Sequence, residues 1–349
     1  MTSLIDISER IKAAGARGEA LRIVGSDSKD FYGDVQEGTT LCVADYAGII
    51  SYEPAEQVIV ARCGTPLVEI ESLLAEHGQA LAFEPPHFGP ATTIGGAIAA
   101  GLSGPARAYT GAARDFVLGV RIVDGLGNVL KFGGEVMKNV AGFDVSRLMT
   151  GSWGTLGVVA EVSLKLVPRA PFVATQQLEL DEAAFIELIN TLSGKPLPLS
   201  ASYYRNGVAR IRLAGPESSV RAAQAKIGGE PVSEDAAFWS ALRDHLLEFF
   251  QDEAPLWRLS VRATCAPMGF DQTLIEWGGA LRWIKSAAPA ETIRAQAKAA
   301  GGSASLFRHG AATPRLAPLD PVLARLNQRI KQAFDPLALF SPGRLPQGA

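Results

Sequence analysis

Between Thr92 and Lys165 three glycine-rich clusters alternate with strand-like apolar runs: TTIGGAIAAGLSG, then RDFVLGVRIVDGLGNVLKFGG, then KNVAGFDVSRLMTGSWGTLGVVAEVSLKL. Glycine lets backbone N–H groups come close to a bulky anion, because no Cβ stands between them. Three such approaches predict an extended ligand gripped along its length, and a dinucleotide fits better than a single phosphate. Upstream, the short strand Ala20 to Val24 empties into Gly25-Ser26-Asp27-Ser28-Lys29, another anion-binding arrangement. Taken singly, each glycine reads better as a turn or packing residue. Neither the G-x-G-x-x-G fingerprint nor the Walker pattern occurs, so the grip is of another kind.

Acid–base candidates are few. The histidines are His77, His87, His245 and His309, no two of them close in sequence. His309, in FRHG, is the best single proton acceptor, with Arg308 beside it as a partner for a carboxylate. Cys42, Cys63 and Cys265 are far apart and form no C-x-x-C pair, which argues against an iron–sulfur cluster or a zinc site in this chain and suits a reducing cytosol.

The elements that would position these groups follow from periodicity and punctuation. A helix is expected over 3–16, with Leu4, Ile7 and Ile11 on one face. Strands are expected around Ile49 to Tyr52 and Gln57 to Ala61. A helix should start with Thr65 as cap and Pro66 at the first helical position, and stop at Gly78. Residues 94–101 read as a short helix or turn pressed against a ligand or sheet. Phe116 to Asp124 and Val129 to Phe132 form a hairpin, and Leu156 to Val167 a long strand. Lys138 and Asn139 sit in a polar loop where a ligand or interface role is in view. Near Arg169-Ala170-Pro171 glycine thins out and amphipathic helices appear, at 182–192 and 219–227 among others, so a domain boundary is placed near residue 170. Strands at 208–213 and 257–263 and helices at 236–250 and 321–334 make the second half a smaller α+β domain.

At 349 residues the chain has room for two domains. Its net charge of −3 gives no basic field for nucleic acid or an anionic membrane. The longest apolar stretches are strand length, short of the ~20 residues that a membrane span needs. A cytoplasmic protein is expected, without a targeting segment.

Five pieces together resemble the FAD-binding domain of the vanillyl-alcohol oxidase and p-cresol methylhydroxylase (PCMH) type: GSDSK, RCGTPLVEIESLLAEHGQAL, TIGGAIAAGLSG, RDFVLGVRIV and GSWGTLGVVAEVSLKL, in the family's order and spacing. The resemblance covers about residues 1–170, with an echo in FSPGRL. It implies an α+β chain: a PCMH-type two-subdomain FAD-binding fold over 1–170, a smaller α+β cap or subunit-interface domain over 171–335, and a tail, 336–349, that returns to the FAD domain. It also implies that Gly25, Ser26, Asp27, Ser28 and Lys29, then Thr93, Ile94, Gly95 and Gly96, hold the pyrophosphate through backbone N–H groups. Ser103, Gly104, Gly154, Thr155, Gly157 and Val158 would flank the ADP and flavin portions, and Arg344 would stand near the flavin pyrimidine ring. The first loop departs from the family at Asp27, where a second glycine is commoner, so a carboxylate stands near the pyrophosphate unless it turns away or caps an N–H.

The stretches SKDFYG, YEPAEQVIVARCGTPLVEIE, LAFEPPHFG, GEVMKNVAGFDVSRLMTGSWGTLG and LFSPGRL extend the resemblance to the FAD-binding subunits of bacterial glycolate oxidases. That implies non-covalent FAD, a sister flavin subunit and an iron–sulfur subunit, oxidation of glycolate to glyoxylate, and contact with the inner membrane only through the complex. Relatives that oxidise 2-hydroxy acids carry a paired-histidine segment, H-x-H, which this chain lacks. Three readings stay open: a catalytic flavin subunit, a flavin-fold scaffold for a catalytic sister, and a self-sufficient flavin oxidoreductase for another small hydroxy acid or alcohol.

Overall fold

The computed structural model describes residues 2–34, 36–134, 144–233, 235–310 and 314–345; Lys138 and Asn139 lie outside them. The chain divides into two compact units. One comprises Met1–Ser103, Ala112–Pro168 and Pro318–Ala349; the other comprises Gly104–Gly111 and Arg169–Ala317.

In the first unit the helix Leu4–Arg17 starts in a capping box between Ser3 and Asp6 and stops at Gly18 in the left-handed region. Its apolar face buries Ile7, Ile11 and Ala14. The chain then enters the strand Leu21–Val24, which pairs in parallel with Thr39–Cys42. On its other edge Leu21 bridges Phe340, so the C-terminal FSPGRL segment lies along the same strand.

A five-stranded antiparallel sheet follows, in the order Ile49–Glu53, Val58–Arg62, Val158–Lys165, Val117–Val123, Val129–Gly133. The central strand, VVAEVSLK, is β-branched and buried on both faces, as a covered sheet requires. Val159, Val162 and Leu164 join one core with the helices Leu67–Glu76 and Ile94–Ala100. Val158 and Ala160 join the other, with the N-terminal helix, Leu41, Leu339 and Phe340. Glu161, the one carboxylate inside this strand, accepts hydrogen bonds from Tyr46 Oη at 2.7 Å and from Arg121 Nη1 at 3.0 Å. The helix expected to be capped by Thr65 begins at Leu67 instead. Pro66 holds the cap position, while the Thr65 hydroxyl bonds to Arg62 and Gly48 carbonyls.

The second unit is built on an eight-stranded sheet: Glu230–Pro231, Phe172–Glu179, Val208–Gly215, Leu199–Arg205, Thr273–Glu276, Leu281–Lys285, Leu256–Ser260, Ser303–Arg308. One face packs on the helices Glu182–Ser193 and Glu217–Ile227 through Ala209, Ile211, Leu213 and Ile275, and on Ala290–Ala299 through Leu259, Ala304 and Leu306. The other face carries alternating cations and aromatics, among them Tyr203, Arg210, Arg212, Arg258 and Trp283. Two of these strands, Val208–Gly215 and Leu256–Ser260, were expected in the sequence; the other six were not. The helix expected over 236–250 resolves into Asp235–Arg243 and one tight turn, Glu248–Phe250, with His245 at a φ of 57° between them. No helix among the described residues is long and apolar enough to cross a membrane.

Candidate functional site

The loop after the first strand lines a cavity of about 90 Å³. By the measure in which one water needs about 10–15 Å³, that is room for several waters or a phosphate-sized group. Gly25, Ser26, Asp27, Ser28, Lys29, Gly96 and Arg344 all border it, joined by Tyr32, Ala99 and Trp153. The loop is well made for an anion. Among the described residues no chain acceptor takes the backbone N–H groups of Gly25, Ser26, Asp27 or Ser28. The Ser26 and Ser28 hydroxyls lie 3.2 Å apart. Lys29 is buried, with Nζ 3.5 Å from both Ser28 Oγ and the His87 carbonyl. Polar donors gathered around one cavity are what a pyrophosphate needs.

Asp27 answers the question that its charge raised. It sits at a φ of 61°, the left-handed conformation that glycine takes most easily. Its half-exposed carboxylate turns toward Arg22, whose Nη1 and Nη2 stand 3.4 Å from its two oxygens. The Asp27 charge, at the cavity edge, is therefore paired with Arg22.

The second expected grip is built differently. Thr93 caps the helix Ile94–Ala100, its Oγ1 accepting from Gly96 N–H at 3.2 Å. Ile94 N–H donates to Thr65 O and Gly95 N–H to Cys63 O, both at 2.9 Å. A Cβ on Gly95 would stand 2.5 Å from Cys63 Cβ and 2.8 Å from Cys63 O. Gly95 is thus a close-packing glycine against the turn that follows the strand Val58–Arg62, and burial pushes the Cys63 thiol there up to about 12. Of the four turn residues only Gly96 borders the cavity. Gly25 meets this turn, since a Cβ on it would lie 2.7 Å from Thr93 Oγ1.

Arg344 lies behind the loop. Its guanidinium donates to the carbonyls of Lys29, Asp30 and Asp34 at 3.1–3.3 Å, and it is stacked over Trp153 at 5.3 Å. Burial pulls it below its ordinary value, with Asp30 opposing. Trp153 was missed in the sequence. Its ring lies 4.3 Å from that of Tyr32 and occupies the space where a Cβ on Gly33 would be, which explains the glycine of SKDFYG. Of the other expected ligand residues, Gly154 packs on Ile23, Thr155 Oγ1 donates to Ser152 O, Gly157 approaches Val123 O, and Val158 opens the central strand. Ser103 Oγ accepts from Ala113 N–H, and Gly104 O accepts from Trp277 Nε1. None of these six borders the cavity.

In the second unit Arg308 ends its strand and His309 follows, exposed, at a φ of 54°. Burial pulls the Arg308 guanidinium down to about 10. The buried histidine is His245, stacked on Phe250 at 3.9 Å and edge-on to Trp283 at 4.7 Å. Burial, with Arg308 and Arg258 nearby, holds it well below the ordinary imidazole value, so it is neutral at pH 7. Arg258 lies over Trp277 at 5.1 Å and Trp283 at 6.0 Å, and among the described residues no acceptor meets its guanidinium. A half-buried guanidinium beside a neutral imidazole suits a small carboxylate.

Residues 1–133 match the FAD binding domain family. Over 340 residues the chain is 46% identical to glycolate oxidase subunit GlcE of Escherichia coli (strain K12), covering 97% of this chain and 95% of that one. Glycolate oxidase subunit GlcD of Bacillus subtilis (strain 168) is 35% identical over 115 residues, 33% of this chain and 24% of that one. Among solved structures, an alkyldihydroxyacetonephosphate synthase superposes with a TM-score of 0.66 over 97% of this chain and 74% of that one, at 13% identity. That likeness, with the family match, shows the fold, the α+β FAD-binding fold that the resemblance implies.

Proposed function

The chain belongs to the family of the glycolate oxidase subunit GlcE, and from that premise we propose that it is the FAD-binding subunit of a glycolate oxidase complex. The observation that carries the reading is the loop Gly25–Lys29, with its untaken N–H groups, two serine hydroxyls and the buried cations Lys29 and Arg344 around one cavity. Those residues fit the pyrophosphate of FAD, and no Cys or His is among the described residues that line the cavity, in keeping with non-covalent attachment. FAD, when bound, accepts the two electrons that leave glycolate as it becomes glyoxylate.

The substrate half of the reaction asks for a base for the hydroxyl proton and a cation for the carboxylate. Arg308 and His309 are one pair for those tasks, and Arg258 with the neutral His245 is a second. His309 is exposed, which favours a division of labour: this chain holds FAD, a sister flavin subunit works on the hydroxy acid, and an iron–sulfur subunit takes the electrons. Contact with a membrane would come through those partners.

The purified chain should be yellow and release FAD, rather than FMN, on heating. Alone it should oxidise glycolate slowly or not at all, and with its sister and iron–sulfur subunits it should reduce a dye acceptor. His309→Ala should change the rate of the complex little. A folded, colourless chain that takes up no FAD would overturn the cofactor reading. Brisk glycolate oxidation by the isolated chain, lost in His309→Ala, would overturn the division of labour.

A further inference from the structure

Behind Lys29 stands a pair of residues that does not border the cavity. Glu71 projects from the helix Leu67–Glu76, and both of its carboxylate oxygens lie 3.1 Å from His87 Nε2. The backbone carbonyl of the same His87 accepts from Lys29 Nζ at 3.5 Å and from the Thr92 hydroxyl. Thr92 Oγ1 in turn lies 2.8 Å from Ser28 Oγ, which reaches Ser26 Oγ. The next residue, Phe88, sets its ring 5.6 Å from Lys29 Nζ.

The backbone here is shaped for that task. Pro85 and Pro86 fix φ ahead of His87. Phe88 follows at a φ of 50° and Gly89 at 129°, so the chain turns sharply through the left-handed region. A non-glycine residue persists there only where its surroundings hold it. The Glu71 carboxylate, anchored on a helix, grips the imidazole and so holds the carbonyl of that residue against Lys29.

We propose that Glu71 and His87 are positioning residues for dinucleotide binding: together they aim the Lys29 ammonium, and through Thr92 the Ser28 hydroxyl, at the phosphates. The proposal rests on the reading of Gly25–Lys29 as the pyrophosphate loop. It predicts that removing the pair weakens binding by releasing Lys29, without removing any atom from the cavity wall.

The test is titration of the flavin-stripped full-length chain with FAD, and with ADP as a probe that carries the diphosphate and adenosine without the flavin. Lys29→Met should weaken both ligands roughly 10- to 100-fold, as loss of a charge-assisted hydrogen bond does. Glu71→Gln and His87→Ala should each weaken both by roughly 3- to 10-fold, and His87→Gln, which keeps a donor toward Glu71, should restore most of the loss. In the Lys29→Met background, Glu71→Gln should add less than about 2-fold, because both changes act through one ammonium. If Lys29→Met binds like the natural chain, the pyrophosphate reading of the loop falls. If Lys29→Met weakens binding but Glu71→Gln has no effect, or has its full effect in both backgrounds, the positioning role falls and the loop reading stands.

Discussion

The loop Gly25–Lys29 and the turn Thr93–Gly96 have the same character in sequence, small residues at the end of a strand or the start of a helix, but they use their backbones in opposite ways. In the loop, four successive N–H groups meet no acceptor among the described residues. In the turn, Ile94, Gly95 and Gly96 all donate inside the protein. The turn spends its N–H groups inside the protein, whereas the half-buried loop leaves its own to water or a ligand. Glycine marks both places for different reasons: Gly95 lets a helix start against Cys63, and Gly25 lets the loop pass under Thr93. Composition alone does not separate an anion cradle from a packing contact. The destination of each N–H does.

The largest expected effect tests that contrast inside a single dipeptide. Gly95→Val drives a side chain into Cys63, and overpacking of that kind costs about 1–3 kcal/mol or more. Its main result should be a lower Tm and a poorly folded chain. Gly96→Val meets only Thr93 Oγ1, at 3.3 Å, and otherwise faces the cavity. It should keep most of the Tm and lose FAD affinity by roughly 10-fold or more, through steric exclusion of the phosphates. Thermal melts beside flavin titrations separate the two outcomes. Equal Tm with equal loss of FAD in both variants would show that the turn and the loop act as one grip after all.

Arg344 comes next. It was expected near the flavin ring, and in the structure it pins the loop from behind. Arg344→Leu strips the donors from the Lys29, Asp30 and Asp34 carbonyls. Leaving buried acceptors unmet costs about 1–3 kcal/mol each, and less where water reaches them. We expect a Tm loss together with FAD binding weakened by about 10-fold. Arg344→Lys should recover only part, because an ammonium cannot span three carbonyls as a guanidinium fork does. Unchanged FAD affinity in Arg344→Leu would mean that the loop holds its shape unaided.

Much of this was legible in the sequence, and the rest was hidden for physical reasons. The strand into Gly25-Ser26 and the short helix at TIGG follow from punctuation, and each is where it was expected. Trp153 was not visible as a cavity residue, because its place depends on Gly33 and Arg344, far away in the chain. In the second unit the strands that carry Arg210, Arg212 and Arg258 were expected, whereas neighbours such as Leu199–Arg205 and Leu281–Lys285 were not; on that sheet face cations lie on aromatic rings, as Arg210 does on Phe238 at 4.0 Å. Partner rings supplied by distant segments leave no local pattern.

Thr93→Ala probes the turn more gently. It removes the hydroxyl that caps Gly96 N–H, which costs about 0.5–2 kcal/mol in stability. If the turn is structural, FAD affinity should stay within about 2-fold while the Tm falls. A loss of affinity larger than the loss of stability would assign Thr93 to the ligand.

The smallest effect falls on Asp27, where the loop departs from its family. Its ion pair with Arg22 is part-exposed at 3.4 Å, and such pairs contribute about 0–1 kcal/mol. Asp27→Gly gives up that pair and gains the easy left-handed conformation at a φ of 61°. These terms nearly cancel, so stability should change by less than about 1 kcal/mol. Asp27→Ala loses the pair and keeps the strained φ, so it should be the less stable of the two variants. Removing a carboxylate at the cavity edge should improve FAD affinity by a few-fold at low salt, and that gain should shrink as salt screens it. A flavin titration of Asp27→Gly at two ionic strengths checks this. If affinity instead falls 10-fold or more, the Asp27 carboxylate is shaping the cradle through its pair with Arg22, and the loop depends on side chains as well as on its free N–H groups.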